Sequence, residues 1–470
     1  MAPFPAAHSG RNISLGLDAM VEELGLVGEQ WELFAVNDNA ANVKLGIKLS
    51  LHLNQYLCDI HTIELCVKDT FKNVPGVKIL LKKTRALAKF VKKSPTLAEK
   101  ELRKESEKEQ VAYRKLANPP NTRWCGKLGN LASVQHLKKP LVNLMSKNEK
   151  WHKYSLTPGQ WNLLDIAVKL LKPVKETILA WEVEKEPTMH RVIERLYTLQ
   201  CTIEAFIQSP ESRGGVGIGF ARELQKQLER RFPSKGTQKN LPRMANYLAP
   251  QFKGMHLEED WMLESAKMDI EAEVLKMSVP EVRQEVLEEE MEERVELSPN
   301  SKLRKKMQEK MQRGRTLWND ERESPVRMEM HRYESLSLSN KHINILHWWR
   351  SHEGTFPNLA KVAKKVLSIP ASSAKSESVF STGGNFVTKK RNRLAPKKVE
   401  ELVVITSNQS QIDAFKARGS YELLAENRGG SALTSITVDE VIENLVEDEN
   451  SSSESESDAE DSTDSSDDDE

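Results

Sequence analysis

Cysteine is scarce: Cys58, Cys66, Cys125 and Cys201 are scattered over 470 residues. Four so dispersed cannot form a disulfide framework, and they suit a reducing compartment. No apolar run approaches the roughly 18 residues of a membrane-spanning helix. The N-terminal MAPFPAAHSGRNISLGL places no basic stretch ahead of an apolar core, so the sequence predicts neither secretion nor membrane insertion. Net charge is absent too, with 69 Lys and Arg against 69 Asp and Glu, yet the balance is uneven along the chain. Between Glu447 and Glu470 stand 13 acidic residues and no Lys or Arg, which leaves the first 446 positions with a surplus of 13 positive charges. A basic body favours nucleic acid through phosphate contact, although this surplus is modest for its size. With 38% hydrophobic residues, the chain can bury a sizeable core in two or three domains.

What is there concentrates between Ile343 and Asn408. Phe356, Leu359, Ala360, Ala363 and Leu367 recur at helical spacing behind Pro357, and Pro370 stops that helix. A second helix is expected over Ser376–Ser381, ended by Gly383 and Gly384, and a third over Lys397–Ile405. Three short helices so apolar must pack on something larger. Trp348 and Trp349 precede them, and Lys389–Arg393 (KKRNR) interrupts them.

Toward the N-terminus, residues 15–35 predict an amphipathic helix, a glycine turn and a β-like run into LFAV. Asp38 then ends the strand, and Asn39–Asn42 open a helix. A carboxylate there can hold a metal ion at a sheet edge or simply cap the helix. Cys58 and His61 sit three apart on a helix, but two ligands without a partner pair do not make a zinc site. Lys78–Lys93 reads as an amphipathic helix with Ile79, Leu80, Leu87 and Val91 inward and its cationic side chains outward, either solvated or along a phosphate backbone. Residues 99–116 alternate in charge sign and suit an exposed helix or mobile segment. From Leu141 to Gln208 the chain is helix-rich, with a cap at Thr157 and a kink or break at Pro173. The glycines of RGGVGIGF (213–220) follow no strand, which argues against a nucleotide loop. Residues 266–335 are charged and irregular, with a basic stretch at 302–315, and the serine-rich acidic tail from Glu447 should be disordered.

The C-terminal wording, a WW pair followed by FPNLAKVAKKVLSIPASSA, SESVFSTGG, a basic run and RLAPKKVEELVVI, resembles the dimerisation region of the hAT transposase superfamily. NDNAANV followed by CDIHTIELCVKD, the TRW of Thr122, Arg123 and Trp124, and MANYLAPQFKG are similar to further hAT blocks. Ser378 stands where arginine is usual, and Ala249 where aspartate is usual. The resemblance implies an α+β, mostly helical fold: a truncated RNase H-like α/β core interrupted by a large all-helical insertion, with a disordered acidic tail. It divides the chain into a disordered N-terminus (1–14), a partial core (15–140), a helical insertion (141–265), a charged segment (266–335), the dimerisation region closing the core (336–410) and a tail (411–470).

The same resemblance makes Asp38 the second, and Glu377 the third, of three carboxylates that hold two divalent ions for phosphoryl transfer. It places His61 near the scissile phosphate with Cys58 packing beside it, and gives Trp124 a stacking role against DNA, for which a plain core tryptophan is the alternative. Arg123, Lys389, Lys390, Arg391 and Arg393 are the further DNA-contact candidates. Trp348, Trp349, Phe356, Leu359, Val362, Leu367, Phe380, Leu402 and Val403 are the dimerisation candidates. The family's first aspartate belongs to an opening strand, but only 37 residues precede Asp38, none resembling that motif, and Asp18 lies in a helical stretch. The expectation is therefore a catalytically inactive, nuclear, hAT-derived protein without the BED-type finger, a small-molecule substrate or a cofactor, its partners a second copy of itself and DNA. The competing expectation is an active DDE transposase or nuclease using two metal ions, Mg2+ being the cofactor in that case.

Overall fold

The computed structural model describes residues 8–27, 32–118, 124–210, 216–233, 240–278, 324–340, 342–387 and 394–417. Two compact units divide the chain, a body from Phe4 to Ala374 and a C-terminal unit from Lys375 onward, with Met1–Pro3 grouped in the latter. The described residues are mostly helical.

The body opens with helix α1 (Gly10–Glu23), whose N-terminus is capped by Ser9, its side chain accepting from the Asn12 N–H at 3.3 Å. Strand β1 (Leu33–Asn37), helix α2 (Ala41–Leu49) and strand β2 (Leu53–Leu57) follow. The strands pair in parallel, Leu33 opposite Leu53 and Asn37 opposite Leu57, so α2 is the crossover that a parallel pair requires. Glycine sets the spacing between α1 and α2. A Cβ on Gly10 would meet Leu45 Cγ at 2.6 Å, and one on Gly46 would meet Ile13 Cγ2 at 2.5 Å, so the two helices cross where neither chain carries a side chain. Asp18 fixes the far end: its carboxylate accepts from the Ser50 hydroxyl and, at 3.5 Å, from the Leu51 N–H. The aspartate is helical, as its sequence surroundings indicate.

Helix α3 (Asp59–Asn73) leaves β2 and buries Ile63, Cys66, Val67 and Thr70. Helix α4 (Val77–Lys93) buries Leu80, Leu87 and Val91, but Ile79, expected inward, is 56% exposed because it lies about 130° from the centre of the buried face. Helix α5 (Lys100–Lys108) is not fully exposed: Leu102 is buried, and Glu101 accepts from the Trp151 indole N–H at 2.8 Å. Helices α6 (Trp124–His136), α7 (Lys138–Lys147) and α8 (Glu149–His152) lead to the longest helix, α9 (Pro158–Trp181). Thr157 and Gln160 form a capping box at its start. Pro173 does not break α9; Leu170, Leu171, Val174 and Ile178 are buried on both sides of it, and that packing carries the helix through.

Helices α10 (Arg191–Gln208) and α11 (Val216–Arg231) pack on α9, with Gly217 so close to Ile166 that a Cβ there would lie 1.9 Å from its Cδ1. Helices α12 (Asn240–Tyr247), α13 (Asp260–Ser278), α14 (Pro325–Ser335), α15 (Ile345–His352) and α16 (Pro357–Ser368) complete the body. The charged segment over 266–335 is thus ordered helix at its two ends, while 279–323, with the basic stretch, lies outside the described residues. One hydrophobic core runs from Tyr56 to Ala371.

The C-terminal unit contains α17 (Ala374–Phe386) and α18 (Pro396–Ala417). Gly383 and Gly384 do not end α17. A Cβ on Gly383 would touch Val403 and Val399 at 3.4 and 3.9 Å, so this glycine is where α18 approaches. Helix α18 also extends well beyond the expected Ile405. The basic run 389–393 and the tail from 418 lie outside the described residues.

The crossing of α1 and α2 makes a paired prediction. Gly46→Ala should destabilise the chain by about 1–3 kcal/mol through overpacking against Ile13. Gly159→Ala, where nothing lies within 4 Å, should be neutral or stabilise by up to about 1 kcal/mol. Urea unfolding of both variants checks the contrast.

Candidate functional site

The carboxyl ends of β1 and β2 form the site that the sequence singles out. Asp38 follows β1 directly, and one of its carboxylate oxygens accepts from the Ala40 N–H at 3.0 Å, an Asx-type turn that leads the chain into α2. Asn37 accepts from the Gln55 side chain at 3.1 Å, and its carbonyl accepts from the Cys58 N–H at 2.8 Å, so both strands end in register. Cys58 then caps α3, its Sγ accepting from the His61 N–H at 3.4 Å. His61 lies in the first turn of α3, half-buried.

A distant stretch closes over these strand ends. Asp59 N–H donates to the Ala371 carbonyl at 3.0 Å, and Ser373 N–H donates to Cys58 Sγ at 3.4 Å. Ala371 N–H reaches Thr188 Oγ1 at 2.9 Å, and the Ser372 hydroxyl reaches the Trp181 carbonyl at 3.1 Å. The IPASSA stretch is thereby tied to both strand ends and to the end of α9. Burial raises the Cys58 thiol above its ordinary range, against the two N–H donors, so the sulfur acts as a neutral cap. Cys66 is pushed up to about 12, chiefly by burial. The Tyr56 hydroxyl donates to Asp59 at 2.6 Å, and burial first, then Asp59, holds it well above its usual range.

Glu377 stands in the first turn of α17, exposed, and belongs to the C-terminal unit, whereas Asp38 belongs to the body. Among the described residues, no group of three or more His, Cys, Asp or Glu is placed to hold a metal ion. Trp124 begins α6 and is buried, so as placed its ring is closed to a stacking base. Thr122, Arg123, Lys389, Lys390, Arg391 and Arg393 lie outside the described residues.

The dimerisation candidates divide sharply. Trp348, Trp349, Phe356, Leu359, Val362 and Leu367 all point into the body's own core, Trp349 being only 4% exposed. Trp349 donates its indole N–H to the Leu248 carbonyl at 2.8 Å, and the Tyr333 hydroxyl donates to the Tyr247 carbonyl at 3.1 Å. The Tyr333 ring lies 5.5–6.0 Å from those of Tyr247, Trp348, Trp349 and Phe356. Lys253, at the left-handed φ of 47°, donates to the Tyr333 carbonyl at 2.6 Å and to the Leu336 carbonyl. Buried Glu329 accepts from the N–H groups of Asn358 and Leu359 at 3.1 and 3.0 Å, capping α16 from another helix. Neither Glu329 nor Tyr333 shows its role in the sequence, because the partner of each lies tens of residues away.

In the C-terminal unit the pattern reverses. Helix α17 has no buried residue, and Phe380 is 67% exposed. Leu402 is buried, Val403 half-buried, and Val387 and Val404 are largely exposed.

Residues 326–409 match the family model of the hAT family C-terminal dimerisation region. Over 70 residues the chain is 41% identical to the "Putative AC transposase" of Zea mays, covering 15% of this chain and 9% of that protein. Over 84 residues it is 37% identical to "Zinc finger BED domain-containing protein RICESLEEPER 2" of Oryza sativa subsp. japonica, covering 17% of this chain and 12% of that protein. The chain thus matches about a tenth of the length of these relatives.

Trp349 gives the test of this division. Trp349→Ala should cost about 3–5 kcal/mol of stability, as large core truncations do. The loss should register as a lowered unfolding midpoint of the body that does not depend on protein concentration.

Proposed function

We propose that this chain, whose residues 326–409 match the hAT dimerisation region, is hAT-derived and acts by self-association through its C-terminal unit, as a protein without transposase activity that also contacts DNA. The observation carrying this reading is the split of the matched region. Its first half, through α16, is consumed by the body's own core, while Phe380 of α17, Val387 just past its end and Val404 of α18 stay in solvent. Exposed apolar side chains on so small a helical pair are what a second copy would cover.

The parallel β1–α2–β2 unit, with α3 following, is compatible with part of an RNase H-like sheet. Asp38 in this reading is a turn carboxylate, in keeping with its bond to Ala40. Its place at the carboxyl end of a parallel strand supports the alternative, a DDE enzyme with two metal ions, for which Asp38 and Glu377 would be ligands. A transposase and a BED zinc-finger protein as relatives suit a nuclear protein that meets DNA. A Mg2+-dependent cleavage assay on supercoiled plasmid separates the readings: activity lost in Asp38→Asn and Glu377→Gln would establish the enzyme.

For self-association, light scattering of the eluting chain should show a dimer or larger. The double variant Phe380→Asp and Val404→Asp should weaken association at least a hundredfold, equivalent to about 2.7 kcal/mol, with the unfolding midpoint of the body unchanged. A monomeric wild-type chain would refute the proposal.

A further inference from the structure

Helix α4 carries a feature that packing does not use. Lys78, Lys82, Arg85, Lys89, Lys92 and Lys93 recur at spacings of three and four, so they lie within about 100° of one another on one helical face. The buried residues Leu80, Thr84, Leu87, Ala88 and Val91 lie opposite. The five lysines are exposed and, among the described residues, none pairs with a carboxylate. The stripe extends about 22 Å at 1.5 Å per residue.

A merely solvated charged face has a different composition. Helix α5, its near neighbour, alternates sign, and its charges pair locally, Arg103 with Glu99 just ahead of the helix at 2.8 Å and Lys108 with Glu105 at 3.1 Å. Helix α4 contains no Asp or Glu at all. Like charges four apart, as at Lys78 and Lys82, Arg85 and Lys89, and Lys89 and Lys93, oppose helix formation. A polyanion laid along the stripe would relieve that repulsion and release its own counterions.

The geometry points to α4 as the track on which this protein binds the phosphate backbone of duplex DNA, without sequence readout. The inference rests on the DNA contact included in the proposed function and assigns it to a face. The stripe covers about two-thirds of a 34 Å duplex turn, and its unbranched lysines act as point charges suited to phosphate rather than to base edges.

The test is fluorescence anisotropy of a labelled 24-base-pair duplex of arbitrary sequence, across a salt series, with the full chain. The stripe variant replaces Lys78, Lys82, Lys89, Lys92 and Lys93 by Gln, which preserves helix propensity. A charge-matched control replaces Lys48, Lys68, Lys172, Lys175 and Lys361 by Gln. Loss of more than tenfold in affinity is expected for the stripe variant at 50 mM salt, together with a fall of about four in the slope of log K against log salt. The control should change affinity less than threefold, and Arg at the five stripe positions should restore binding. Equal loss in stripe variant and control, no rescue by Arg, or a stripe variant that changes oligomeric state instead of DNA affinity would each overturn the assignment. Undiminished binding by the stripe variant would overturn it too, while leaving DNA contact standing; no binding by the unaltered chain would remove both.

Discussion

The body depends on the aromatic knot around Tyr333. Its ring is enclosed by Tyr247, Trp348, Trp349 and Phe356, and its backbone carbonyl is held by Lys253. Large aromatic side chains stabilise mainly through the area they remove from water, and edge-to-face geometry adds specificity. The Tyr333 hydroxyl and the Trp349 N–H each find a backbone carbonyl at the C-terminal end of α12, that of Tyr247 and that of Leu248. This helix end, α14, α15 and α16 therefore form one packed group, with Glu329 supplying the cap that α16 lacks locally. The constraint has a functional consequence: aromatic surface used internally is not available to a partner.

A second tie joins that group to the strands. Lys365, buried on α16, bridges to Glu32 at 2.9 Å, just ahead of β1, and to Glu273 of α13. Glu273 also pairs with Lys276 at 2.8 Å. Two residues beyond α16, the stretch from Pro370 bonds to the strand ends through Ala371 and Ser373. The C-terminal matched region thus contributes to the same core as the N-terminal strands, more than 300 residues earlier in the chain.

Local signals were legible and distant ones were not. The strand into Asp38, the helix opened by its turn, the cap at Thr157 and the stop at Pro370 all follow from residues within four positions of one another. The buried face of α16 is legible as apolar, but periodicity cannot say whether such a face meets its own chain or a second copy; Trp348, Trp349 and Phe356, expected at a second copy, are buried in the body's own core. Pro173 and Gly383 failed as breakers for the same reason, since packing on both sides of the one and the approach of α18 to the other outweigh intrinsic preference. In the strand-end site, Asp38, Cys58 and His61 could be placed from sequence, whereas the closure by Ala371 and Ser373 could not. The cationic face of α4 was legible by spacing, and the structure adds that, among the described residues, its five exposed lysines pair with no carboxylate.

The central claim, that association falls to α17 and α18 while α15 and α16 serve the body, is tested most directly by hydrogen–deuterium exchange of the full chain above and below its association concentration. The account predicts that dilution raises exchange over residues 375–417 and leaves 345–368 unchanged. Concentration-dependent protection at 345–368, or none at 375–417, would contradict it.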